Sequence, residues 1–227
     1  MLKIYGIPLS VHTRKVIVTA LVKNLPHEVA PVVPVIPDNP PPDWRTLSPT
    51  GKIPAIVDDD FRLADSAAIC AYFERVQPAP SLYPSAPRDY ATALSFEQYA
   101  GALFSDVVRP LFHETVVNPT IRKIASNQAT IDAVLRTAVP EAFGHLDSAL
   151  RGDYLAGHAL SIADIAVASN LVTYRYLGFD LYRDRFPRLA AHFERVLLHP
   201  AMREALRREQ PFVDSMGLDR TWHVQDR

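Results

Sequence analysis

The stretch GKIPAIVDDDFRLADSA, residues 51–67, carries the reading of the fold. Two short apolar runs, PAIVD and FRLAD, flank Asp58 to Asp60 in a pattern that suits a hairpin. Asp65-Ser66 then precedes a helical repeat: Ile69, Tyr72, Phe73 and Val76 fall at i, i+3, i+4 and i+7, so residues 66–77 bury one stripe on the sheet. Upstream, LKIYGI reads as a strand, Val16, Ile17, Ala20, Leu21 and Asn24 recur at helical spacing, and HEVAPVV reads as a second strand. A Pro-rich loop ending in Trp44 joins this βαβ opening to the ββα unit. Residues 1–77 are expected to form one α/β domain.

The segment QPAPSLYPSAP cannot continue a helix, and residues 78–87 are the expected linker. Beyond it, residues 88–227 are expected to form an all-helical domain. RDYATALSFEQYAGALFSDVVRPLFHETVV and NQATIDAVLRTAVPEAFGHLDSALR are long periodic segments, with Pro110 and Pro140 marking a kink or break in each. LSIADIAVASNLVTYRYL opens with Ser161 as N-cap and Asp164 at N3, flanked by Leu160 and Ile165 at staple positions, which gives Asp164 a structural role. FPRLAAHFERVLLH and PAMREALRR supply two more helices before an irregular tail from about Gly217.

The 227 residues are 48% hydrophobic and 22% charged, enough for two small cores and too apolar for disorder. A net charge of -1 with both signs interspersed leaves no electrostatic footprint for nucleic acid or an anionic membrane. No apolar run approaches a membrane span or a signal peptide, so a cytoplasmic protein is expected. The single cysteine, Cys70, excludes an internal disulfide framework and a multi-thiolate zinc cluster. His192 and His199 lack zinc-ligand spacing, and no metal is expected.

With LSPTGKIPAIVDDDFRLADSAAICAYF and YLAGHALSIADIAVAS in this order, the chain resembles the cytosolic glutathione transferases over essentially its whole length. The resemblance implies a thioredoxin-like domain followed by a helical bundle. It also implies glutathione as co-substrate, held on several residues. Pro54 would be cis, with the backbone of Ile53 pairing with the cysteinyl unit of the tripeptide as an added strand. Ser66 and its backbone would hold the glutamyl carboxylate at a helix N-terminus, where N–H groups lack internal partners. Asp65 would face the ligand's amino group, though Asp or Ser here can equally be a plain N-cap. No Glu or Gln follows to close a capping box, so this helix end is expected to stay available. Lys52 matches a position that reaches the glycine carboxylate. Asn39 stands where relatives often carry His or Gln for the same carboxylate.

At the first strand-helix junction, where a dithiol enzyme has Cys-x-x-Cys, this chain has Ser10-Val11-His12-Thr13, which excludes dithiol exchange. Leu9-Ser10 with Arg14 four residues on is similar to the serine-type, theta- and phi-like members, and implies Ser10 as the catalytic contact to the glutathione thiolate. Tyr5 and Thr13 remain alternatives. A hydrolytic serine is not supported, because no G-x-S-x-G elbow exists and Ser10 and His12 do not face each other on a helix.

An apolar electrophile pocket is expected between the domains, lined by Ile7 to Leu9, by Val108, Phe112 and Val116 at i, i+4 and i+8, and by Trp222. Ordinary core packing explains the middle three equally well. A homodimer is expected, with Ala93, Phe96, Ala100 and Leu103 as an exposed-looking stripe. The function implied is conjugation of glutathione to an apolar electrophile. Glutathione-dependent isomerisation, peroxide reduction or dehalogenation, and a non-catalytic assembly module, stand as alternatives.

Overall fold

The computed structural model describes residues 1–36, 39–219 and 221–222. The N-terminal half runs β1 (Leu2–Tyr5), α1 (Val11–Val22), β2 (His27–Ala30), α2 (Trp44–Leu47), β3 (Ala55–Asp58), β4 (Phe61–Ala64) and α3 (Ser66–Val76). The strands form one mixed sheet in the order β2-β1-β3-β4. β1 pairs with β2 in parallel, Ile4 opposite Val29, and with β3 antiparallel, Ile4 opposite Ile56. The β3–β4 hairpin turns at Asp59-Asp60, where Asp59 takes φ 52°. Strand alternation separates two faces. Leu2, Ile4 and Ile56 join α1 and α3 in the main core, whereas Tyr5, Ala55 and Ala64 turn to Trp44 of α2.

The helical half begins with a continuous helix over 87–122, α4. In it, α-helical Pro87–Leu103 and Arg109–Phe112 alternate with π-helical Phe104–Val108 and His113–Arg122. A second continuous helix over 128–149, α5, has a π-helical turn at Val134–Ala138. Then come α6 (Ile162–Tyr176), α7 (Pro187–Leu197) and α8 (Pro200–Ser215). Pro110 and Pro140 therefore break neither helix. Each follows a wide turn that loosens the ladder where a proline can neither donate nor tolerate a close carbonyl.

Residues between α3 and α4 are mostly exposed, but the connection is pinned at Pro80 and at buried Leu82. Lys23 pairs with Glu74 and donates to the carbonyl of Pro80 at 2.6 Å. Glu74 accepts from the N–H of Leu82 at 3.1 Å, and the Leu82 carbonyl accepts from Ile162 N–H at 2.9 Å. Ala93, Ala100 and Leu103 correct the expected dimer stripe. They are buried in the chain's own core, where α4 packs on α6, and Phe96 is half-buried beside Tyr99 and His145. A period of 3.6 identifies a buried face and is silent on what buries it.

α1 lies between the halves, against α3 on one side and α6 and α8 on the other. Ten of its twelve residues are buried, polar ones included. Such a helix places Arg14 and Lys15 in the interior, where a charge needs a partner.

Candidate active site

Ser10 is the N-cap of α1, with φ -67° and ψ 131°, and is half-buried. Its Oγ accepts from Thr13 N–H over a long 3.5 Å. Accepting through a lone pair leaves the hydroxyl proton free to donate, which is what an anionic sulfur requires. The remaining backbone of Ser10 is fixed: its N–H donates to Ile7 C=O at 3.0 Å and its C=O accepts from Arg14 N–H at 2.8 Å.

Tyr5 sits on the opposite face of the sheet, its ring 6.4 Å from that of Trp44. Thr13 is fully buried behind Gly6. Gly6 has φ 154°, and a Cβ there would meet Thr13 Oγ1 at 2.5 Å and Ile53 Cβ at 3.4 Å. Only glycine fits between them. Gly6 thereby brings the turn before Ser10 against Ile53-Pro54, whose peptide bond is cis. The sheet ladder begins one residue later, at Ala55, so Ile53 stands just outside it.

Asp65 is the N-cap of α3 in an unusual backbone conformation, φ 86°. Its Oδ1 accepts from Ala67 N–H at 2.9 Å and Ala68 N–H at 3.1 Å. This corrects the expectation of an open helix end, because an Asp at the cap needs no Glu at N3 to satisfy two of the N–H groups. The N–H and hydroxyl of buried Ser66 lie outside these two bonds, and the carboxylate of Asp65 is exposed. Lys52 is exposed, and its carbonyl accepts from Ser48 Oγ at 2.6 Å. Asn39 closes its own loop, Oδ1 accepting from Val33 N–H at 2.6 Å, which leaves the amide NH₂ to donate.

The N-termini of α1 and α3 open on one cleft of about 140 Å³ that Val11, His12, Asp65, Ser66 and Ala67 line together with α4 and α6. It is more polar than the sequence indicates. Burial, reinforced by the charge of Lys15, pushes His12 down to about 4, so its ring is neutral, edge-on to Phe104 at 4.7 Å. Lys15 pairs with buried Glu97 at 2.9 Å, and Glu97 accepts from Tyr83 Oη at 3.2 Å. Cys70 lies deeper in α3, and burial pushes its thiol up to about 11.

The expected apolar wall is not gathered into one surface. Leu9, Val108 and Val116 are 6%, 1% and 4% exposed and offer almost nothing to a ligand; Ile7 and Phe112 are half-exposed. Trp222 packs on Tyr176 and Phe193, beside a separate hollow with Arg175 and Leu181. Sequence reading also missed His12, Lys15, Glu97 and Asn170 as cleft residues. The available signal was the pair Arg14-Lys15 directly ahead of the apolar run Val16-Ile17-Val18.

Residues 4–81 match the family model described as glutathione S-transferase, N-terminal domain, and residues 107–200 match glutathione S-transferase, C-terminal domain. Over 218 residues the chain is 28% identical to glutathione S-transferase Z2 of Arabidopsis thaliana, covering 94% of each. It is 26% identical to a probable maleylacetoacetate isomerase of Vibrio cholerae, across 74% of this chain and 77% of that one. The theta class glutathione S-transferase of Xanthomonas axonopodis pv. citri, solved with glutathione bound, is similar in structure with a TM-score of 0.78 and 27% identity, over 90% of this chain and 96% of that one.

Proposed function

Since this chain belongs to the glutathione S-transferase family, we propose that it binds glutathione, holds its thiol as thiolate, and conjugates the sulfur to an apolar electrophile. The observation that carries this reading is the convergence of two helix N-termini on one cleft: Val11 and His12, directly after the N-cap Ser10, line it from α1, and Asp65 and Ser66 line it from α3. Ser10 Oγ–H donates to the sulfur, and the α1 N-terminus adds its partial positive charge. The glutamyl carboxylate rests on Ser66, the amino group on the exposed oxygen of Asp65, and the cysteinyl backbone beside Ile53. Lys52 and the amide of Asn39 attend the glycine carboxylate. In the reaction the thiol proton leaves to solvent, the sulfur lone pair forms a bond to carbon, and the leaving group departs with its electron pair. Of the expected wall residues, half-exposed Ile7 and Phe112 are proposed to meet the electrophile.

The active form is proposed to be a cytoplasmic homodimer, as in the family. No helix among the described residues is long and apolar enough to cross a membrane. A second reading, glutathione-dependent isomerisation, is favoured by the relative named a probable maleylacetoacetate isomerase. Retention on immobilised glutathione followed by turnover of an aryl halide tests the first reading. Loss of free thiol separates the two, because conjugation consumes glutathione mole for mole whereas isomerisation returns it. Retention with neither conjugation nor isomerisation of any compound tested overturns both and leaves a binding module.

A further inference from the structure

A buried polar cluster gathers around Arg14, four residues on from Ser10. Arg14 is fully buried in α1. Its Nε meets the carboxylate of Glu209 at 2.9 and 3.2 Å, and Glu209 also accepts from Tyr176 Oη at 2.8 Å. Its Nη1 donates to Ser169 C=O at 2.6 Å and to Thr173 Oγ1 at 3.1 Å. Those partners belong to α6 and α8 of the helical half.

The remaining nitrogen turns the other way. Nη2 donates to the carbonyl of Leu9 at 3.1 Å. That carbonyl belongs to the same peptide unit as the N–H of Ser10, and this N–H donates to Ile7 C=O at 3.0 Å. The Leu9–Ser10 peptide plane is thus held at both ends, by a turn on one side and by a guanidinium anchored in the other half of the molecule on the other. The orientation of this plane sets φ of Ser10, and with it the direction in which Cβ and Oγ leave the chain. A tie between the halves needs only Glu209, Ser169 and Thr173; the bond to Leu9 adds nothing to it. A planar fork is required to serve both directions at once, and a lysine ammonium cannot do so.

We propose that Arg14 is a positioning residue for the thiolate step, aiming the Ser10 hydroxyl by locking the Leu9–Ser10 peptide to the helical half. The proposal rests on the reading that Ser10 contacts the glutathione sulfur.

The test is thiolate absorbance against pH with glutathione bound, in wild type, Ser10→Ala, Arg14→Lys and the double variant Arg14→Met/Glu209→Leu. The double variant removes both charges together, so neither is left buried alone. The expected result is that Ser10→Ala titrates close to free glutathione, near ~8.5. Both Arg14 variants should move most of the way there, with kcat lowered roughly ten- to a hundredfold and KM for glutathione held within about threefold, as expected of misplacement. A folded double variant that titrates like wild type makes Arg14 a domain tie only and overturns the proposal. Should the double variant not fold, Arg14→Lys decides on the same criterion. If Ser10→Ala itself titrates like wild type, the reading of Ser10 fails first, which is a distinguishable outcome.

Discussion

Asp164→Ala is expected to cost far more than a helix cap. The carboxylate is fully buried and accepts four hydrogen bonds. Oδ1 takes Leu155 N–H at 2.8 Å and His192 Nε2 at 2.7 Å, and Oδ2 takes Ser161 N–H at 2.8 Å and Ser161 Oγ at 2.7 Å. A cap alone is worth about 0.5–2 kcal/mol. Truncation here strands two backbone N–H groups and an imidazole N–H, each costing about 1–3 kcal/mol if left unsatisfied. Water entering the hole relieves part of this, so about 3–5 kcal/mol is expected, the upper range for one substitution. For a chain of this size that is a melting temperature lower by roughly 6–20 °C. Asp164→Asn should cost nearly as much, since each carboxylate oxygen serves two donors and an NH₂ in either place faces both. Urea titration and thermal melts of the three proteins measure this, with thiolate titration at low temperature as the control. An Asp164→Ala protein melting within about 2 °C of wild type, or a folded one with altered thiolate titration, would refute the reasoning.

Ser10→Ala should leave stability within about 0.5 kcal/mol, because the cap bond lost is long at 3.5 Å, and should lower kcat ten- to a thousandfold. Loss of one bond to a charged acceptor, about 1.5–3 kcal/mol, raises the bound thiol by about 1–2 in pKa; an unmoved titration would hand the role to another group. His12, held at about 4 against 6.5 when unfolded, keeps its stabilisation above pH 6.5 and loses it as pH falls toward 4. The loss is on the order of 2 kcal/mol after discounting the half-exposed ring. His12→Gln should flatten that part of the stability–pH curve, and a stability loss between pH 7 and 4.5, from urea titrations, as large in His12→Gln as in wild type would contradict the assignment. Light scattering at micromolar concentration should give twice the chain mass of 25.3 kDa, and a monomer would remove the dimer from the proposal.

Apart from the short helix α2, which falls where a Pro-rich loop was expected, the order of elements was legible because each carries a local signature. Period-two strands, the Asp58–Asp60 turn, and Ser10, Asp65 and Ser161 before their helices are all read within a few residues. Contacts distant in sequence left no such trace. Arg14 and Glu209 are 195 residues apart, and nothing around either names the other. The stripe Ala93, Ala100 and Leu103 looked like a partner-facing surface because its cover, α6, lies some seventy residues on, as the Asn170 Nδ2 bond to Ala100 C=O shows. The continuity of α4 and α5 was hidden for another reason. A proline signals a lost donor, but whether the helix stops or widens depends on the packing around it.

α1 belongs to two cores at once, and this limits how the chain can be recombined. A cut between residues 77 and 87 looks like a clean seam, yet the N-terminal piece would keep Arg14 and Lys15, and the C-terminal piece would keep Glu209 and Glu97. A chimera drawn from two relatives inherits whichever partners its parents happened to carry. Positions 14 and 209, and 15 and 97, therefore behave as linked loci across an apparent domain border. Swapping the helical half to change electrophile preference has to carry the matching α1 with it.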